Sequence, residues 1–173
     1  ASKTGDIAIK QQGSFVARWD HQGDFIMPGD DSSYDWQGII PNDENPMMKN
    51  PERGFVSSAN QKSVDPTYPY YLGTASSFPL YRGISVNKRL NVMNQITAED
   101  MQHLQTDNYN VFAEVARPAL MKFIDPSKLS ADAQRMVGEM TKWNLYNHPN
   151  EKGITVFKLI WDRSEEHTSE LQS

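Results

Sequence analysis

A carboxamide fixed at the end of a rigid segment can stabilise developing negative charge, and Asn60 closes a segment of that kind. It ends the run Asn50-Pro51-Glu52-Arg53-Gly54-Phe55-Val56-Ser57-Ser58-Ala59-Asn60. Pro51 fixes φ and keeps Asn50 out of the right-handed helical region, and Gly54 releases the chain from a turn. Phe55-Val56 then begins an expected short strand that stops at Asn60. The side-chain NH2 of such an Asn can donate to an oxyanion as it forms. An Asn that simply caps the strand in a turn fits the same residues.

Other chemically able residues are less convergent. Asp20, Asp24, Asp30, Asp31 and Asp35 crowd one loop, and loop carboxylates can take calcium, but their spacing matches no EF-hand pattern and favours a solvated loop. His21, His103, His148 and His167 share no metal-ligand spacing. The absence of Cys excludes disulfides and thiolate metal sites and leaves the redox compartment open. Trp19, Tyr34, Trp36, Tyr68, Tyr70, Tyr71 and Phe78 flank the Asn60 segment. They either line an apolar acyl pocket, whose burial is worth ~25 cal/mol per Å² of apolar surface, or pack loops onto a sheet.

The chain of 173 residues, 38% apolar and 23% charged, has the composition of a globular domain with a core. A net charge of -5 and no basic stripe with interleaved aromatics argue against a nucleic-acid partner and against an anionic membrane surface. No apolar run approaches the length of a bilayer span. Ala1-Ser2-Lys3-Thr4-Gly5-Asp6 has neither an apolar signal core nor an initiator Met, so the chain is expected to begin within a longer protein. Arg163 to Ser173 reads as the in-frame translation of a common sequencing-library adapter and is expected not to be native. Without that coincidence it would read as a polar, frayed helical tail.

The elements that must position these residues follow from periodicity. Asp6–Lys10 and Ser14–Ala17 alternate polar and apolar residues on either side of Gln11-Gln12-Gly13, which predicts a short antiparallel pair. His21–Pro46 is rich in Asp, Gly, Pro and Ser and reads as an extended loop, and Gln61–Gly73 reads as a second loop. A helix is expected from Pro79 to Gln95. Thr97 with Asp100 reads as a capping-box relative that opens another helix, carrying Met101, Leu104, Val111, Phe112 and Val115 until Pro118 kinks or ends it. Leu120–Ile124 runs to a stop at Asp125-Pro126. Ser130 caps a helix to about Asn144 with one apolar stripe, Ala133, Met136, Val137, Met140 and Trp143, which reads as core. Gly153–Trp161 is ambiguous between strand and helix.

The order Asp35-Trp36-Gln37-Gly38-Ile39-Ile40-Pro41, then Asn50-Pro51 through Asn60, then Tyr70-Tyr71-Leu72-Gly73 and Tyr81-Arg82 resembles the β-chain of the penicillin acylase family of N-terminal-nucleophile amidohydrolases. The resemblance spans about Gly5 to Asp162. It implies an internal fragment of that chain, residues 1–162, with a strand-and-loop part over 1–76 and a mainly helical part over 77–162. The fold it implies is α+β, part of an αββα sandwich with an appended helical region, and it turns Gly153–Trp161 toward a helix.

By the resemblance, Asn60 matches the family's oxyanion-hole Asn and Arg82 matches an Arg near the nucleophile's amine, where a cation holds the amine pKa down. Taken alone, Arg82 reads as a helix-surface Arg paired with a local carboxylate. The family's nucleophile is a Ser freed by autoproteolysis, whose α-amine, with a reference pKa of about 8, serves as base. That Ser lies outside this chain, because Ser2 is not N-terminal and lacks the following Asn, so the piece alone is expected to be inactive. The implied substrate is a small N-acyl amide, and the implied partners are the α-chain and the rest of the β-chain of the same precursor. The implied location is periplasmic or secreted. An acyl-homoserine-lactone acylase and a non-catalytic acyl-ligand-binding homologue are the alternatives. No cofactor is implied. A structural calcium is known in the family, but Tyr71 stands where its members offer an Asp, which puts that site in doubt here.

Overall fold

The computed structural model describes residues 1–73 and 79–170. The chain divides into two compact units, Ala1–Asn94 and Gln95–Ser173. Among the described residues there are five α-helices and two small sheets, an α+β architecture. No helix among them is long and apolar enough to cross a membrane.

In the first unit, β1 (Ala8–Lys10) pairs antiparallel with β4 (Met47–Lys49), in register Ala8↔Lys49, Ile9↔Met48 and Lys10↔Met47. β2 (Val16–Ala17) pairs antiparallel with β3 (Gly38–Ile39). The expected β1–β2 pair therefore does not form. Gly13, at φ 119°, lets one interrupted arm continue, and each half of it bonds to a returning arm. The bonds Gln11 N to Pro46 O at 3.0 Å and Ile40 N to Phe15 O at 2.8 Å stitch the interval between the two ladders. The stretch read as a structureless loop from His21 to Pro46 thus contains the return strand β3.

Polar side chains organise the loop tip. Gln22, buried, donates through Nε2 to the carbonyls of Tyr34 (2.7 Å) and Asp35 (3.1 Å) and accepts from Trp19 N–H. Asp31 caps a 3-10 turn, Ser32–Tyr34, by accepting from Ser33 N–H. Asn50, at φ 43°, closes the base of β4: its Oδ1 accepts from Ile7 N–H at 2.9 Å and its Nδ2 donates to Asp6 at 2.7 Å. Among the described residues of this unit, only Ile40 and Leu90 are fully buried apolar side chains.

The strand expected over Phe55–Asn60 is absent. Among the described residues no backbone-to-backbone hydrogen bond engages 55–64, and side chains take the place of a ladder. α1 runs Tyr81–Leu90, shorter at both ends than its apolar spacing predicts. Asn91 closes it, and Gln95 at φ 52° turns the chain toward the next cap.

The second unit is helical. Thr97 accepts from Asp100 N–H and Asp100 accepts from Thr97 N–H, a reciprocal capping box opening α2 (Ala98–Gln105). One continuous helix through Val115 was expected, yet the chain breaks after Gln105. Asn110 accepts from Ala113 N–H at 2.8 Å and caps a separate α3 (Val111–Phe123). Pro118 lies inside α3 on its exposed side and does not end it. An internal Pro costs ~3 kcal/mol, and the opposite side of α3 packs Ala113 and Ala116 into the core, with Phe112, Leu120 and Met121 against it. Ser130 caps α4 (Ala131–Lys142) as its position predicts. Gly153–Trp161 is helical, within α5 (Lys152–Glu170).

The core of this unit is Ala113, Ala116, Met140, Trp143, Leu145 and Phe157. Met140 and Trp143 are buried as the α4 stripe predicts, whereas Met136 is exposed. Gly153 permits the close approach of α5: a Cβ there would sit 2.3 Å from Trp143 Cβ and 2.9 Å from Glu139 O. Arg117 reaches from α3 to the end of α4, its Nη1 donating to the carbonyls of Met140 (3.1 Å) and Trp143 (2.7 Å), where a cation complements the helix dipole.

Candidate active site

Asn60 and Arg82 are brought together. Asn60 adopts φ 60°, a left-handed conformation that Asn tolerates better than most residues, and its side chain is exposed. Arg82, in the first turn of α1, donates through Nη2 to Asn60 Oδ1 and to Ala59 O at 3.4 Å. No carboxylate among the described residues pairs with Arg82, so the local ion pair that its helix position suggested does not form.

This contact fixes the orientation of the carboxamide. A guanidinium has donors and no acceptor, so the Asn60 atom facing it must be the oxygen. The NH2 consequently points away from Arg82, free to donate. The positive charge on the carbonyl end also draws electron density from the amide, which strengthens Nδ2–H as a donor.

Asn60 lies on the wall of a cavity of about 510 Å³ whose apolar side is Ile9, Met47 and Met48, from β1 and β4, and whose polar side includes Arg53 and Lys62. Among the described residues no carboxylate lines it. Arg53 is held by donation to Phe55 O at 3.0 Å and lies over the Phe55 ring, 4.6 Å from its centroid.

The aromatic set is placed elsewhere. Trp19 packs on Phe25 and Tyr34, and Trp36 is exposed. Tyr68 donates to Glu44 O and Tyr70 to the Glu44 carboxylate, while Tyr71 donates to Asp24 Oδ2 at 2.6 Å. None of these lines the Asn60 cavity, whose apolar wall is aliphatic and Met. Phe78 lies outside the described residues.

Asp24 also accepts from His21 Nδ1 at 2.9 Å, and this hydrogen bond, aided by the nearby Asp20 charge, raises the His21 pKa above its ordinary value. Among the described residues no three His, Asp or Glu side chains gather where an ion could sit.

Two polar residues that engage the segment ending at Asn60, Gln61 and Asn87, carry no sequence motif. Gln61 Oε1 accepts from Ala59 N–H at 2.6 Å and its Nε2 donates to Ser57 O at 3.5 Å. Asn87, on α1, accepts at Oδ1 from Ser57 Oγ (3.0 Å) and Arg53 Nη1 (3.1 Å) and donates from Nδ2 to Gly83 O (2.7 Å). The one available signal was placement: Asn87 follows Arg82 on the same helix, but its partners lie about thirty residues upstream, beyond the reach of any local pattern.

The family model for penicillin amidase matches residues 1–172. Penicillin G acylase of Escherichia coli is 24% identical over 164 residues, which cover 90% of this chain and 19% of that protein. The acyl-homoserine lactone acylases QuiP of Pseudomonas syringae pathovars syringae and tomato are each 31% identical over 74 residues, 43% of this chain and 9% of theirs. A solved structure of thermostable penicillin G acylase from Alcaligenes faecalis superposes with a TM-score of 0.60 at 19% identity, covering 87% of this chain and 27% of that one. The chain thus spans less than a fifth of the curated relatives it matches.

Proposed function

This chain belongs to the penicillin amidase family, and on that premise we propose that it is an internal part of the β-chain of an acylase that cleaves the amide of an N-acyl substrate. Asn60 donates from Nδ2 to the oxyanion of the tetrahedral intermediate, and Arg82 holds the carboxamide in the donating orientation. The hydrogen bond from Arg82 to Asn60 Oδ1 is the observation that carries this reading. A helix-borne cation that bonds both the carboxamide and the carbonyl before it, beside a cavity large enough for an acyl group, is more than a turn cap requires.

The nucleophile in this reading is an N-terminal Ser contributed from outside the chain, with its own α-amine as base. Attack on the amide carbonyl forms the tetrahedral oxyanion, collapse expels the amine and leaves an acyl-enzyme, and water releases the acid. The oxyanion donor acts in both halves of the cycle, and removing one such donor typically costs ~3–4 kcal/mol of barrier. The surrounding enzyme is an αββα sandwich acting in the periplasm or outside the cell, and residues 163–173 are foreign to it.

Likeness to the two acyl-homoserine lactone acylases supports a second substrate class on the same machinery. The test uses the full-length protein and chromogenic phenylacetyl, glutaryl and long-chain acyl amides, with mass spectrometry of quenched samples. Asn60→Ala should lower kcat by about 10²- to 10³-fold. A native protein that binds acylated ligands without turnover or covalent adduct would instead be a binding homologue.

A further inference from the structure

We propose that Asn87 is a positioning residue for Asn60, an inference that rests on the oxyanion reading above. The segment from Ser57 to Asn60 has no ladder to hold it, and it ends in a left-handed residue whose side chain must be aimed to within a fraction of an ångström. α1 holds that segment at both ends. Arg82 grips Ala59 O and Asn60 Oδ1 at the far end. Asn87, five residues on and about 7.5 Å further along the helix axis, grips Ser57 Oγ at the near end.

The Asn87 carboxamide has a single possible orientation. Arg53 can only donate to it and Gly83 O can only accept from it, so the oxygen faces Arg53 and Ser57 while the NH2 bonds the helix's own backbone. Asn87 is therefore anchored to α1 at one end and to the segment at the other. Gln61 relays this hold across the turn, bridging Ser57 O and Ala59 N–H. Asn87 does not line the cavity. It acts on the reaction through the geometry of Asn60.

The test compares Asn87→Leu, Asn87→Asp, Ser57→Ala and Asn60→Ala in the full-length protein on one chromogenic amide. Asn87→Leu keeps the size and removes both polar ends. It should lower kcat by about 10- to 100-fold, the usual effect of a small displacement of a catalytic group, with KM nearly unchanged. Asn87→Asp keeps an acceptor for Arg53 and Ser57 but loses the donation to Gly83 O, and should leave kcat between native and Asn87→Leu. Ser57→Ala, which removes only a hydroxyl and spares the fold should the Leu variant fail to assemble, should lower kcat in the same sense by a smaller factor. Loss of activity in Asn60→Ala with native kcat in Ser57→Ala and Asn87→Leu would overturn the positioning role and leave the oxyanion reading standing. Native kcat in Asn60→Ala would overturn both. Equal damage from Asp and Leu, or a raised KM at constant kcat, would also overturn it.

Discussion

The two units are built on opposite balances. Among its described residues Ala1–Asn94 buries Ile40 and Leu90 as apolar side chains and also buries the amides of Gln22 and Asn45, and its loops are ordered mostly by side-chain hydrogen bonds. Gln95–Ser173 closes α3, α4 and α5 on an apolar core around Met140, and caps α2, α3 and α4 at Thr97, Asn110 and Ser130. Apolar burial is tolerant of detail, whereas a hydrogen-bonded loop is set by direction and distance. The candidate site lies in the unit that gains precision at the expense of core, which is what an oriented carboxamide needs.

The contrast can be broken with a pair of tryptophans. Trp143 is 3% exposed in the second unit and Trp36 is 66% exposed in the first. Trp143→Ala should cost ~3–5 kcal/mol in urea unfolding, with protection from hydrogen exchange lost over α3, α4 and α5. Trp36→Ala should stay within ~0.5 kcal/mol. Equal costs would erase the distinction.

A smaller effect tests the polar side of it. Gln22→Leu keeps the bulk of the side chain but strips the carbonyls of Tyr34 and Asp35 of their donor. Losing a donor to two partly exposed carbonyls and an acceptor for Trp19 N–H should cost about 1 kcal/mol, so this apolar replacement is expected to destabilise a loop that ordinary hydrophobic accounting says it should help. Neutral or improved stability would show that the first unit is held by something other than its hydrogen bonds.

The smallest effect is on pH dependence. The His21 pKa is raised by its bond to Asp24 and then by Asp20, so protonation favours the folded state. That contribution is complete below the unfolded value of about 6.5 and is lost as pH rises through the folded value. Because His21 is largely exposed, the change is expected to be slight, seen as a shallow fall in melting temperature from pH 6 to 8 at low salt. His21 sits at φ 66°, which Asn accepts, so His21→Asn should flatten the slope without disturbing the turn. A slope unchanged in that variant would assign it to another group.

How much was legible in the sequence divides along the same line. The caps at Thr97 and Ser130 and the burial of Met140 and Trp143 follow from local spacing, because a helix repeats its environment every few residues. The break before Asn110 was hidden because the apolar residues on both sides of it keep a helical rhythm, while Asn110 competes as a cap. In the first unit the β1–β4 pairing joins residues about forty apart, and Asn87 meets Ser57 thirty residues upstream. No period connects such partners. Asn60 and Arg82 could be named from the family pattern, but their direct bond, and the donor orientation it sets, is a property of the fold.

The central claim is that Arg82 acts on catalysis by orienting Asn60, and a double-mutant cycle on kcat/KM in the full-length protein tests it most directly. Asn60→Ala and Arg82→Met should each impair hydrolysis, and the double variant should be no slower than Asn60→Ala alone, because the Arg has nothing left to orient. Effects that multiply, each substitution costing as much in the presence of the other as by itself, would contradict it.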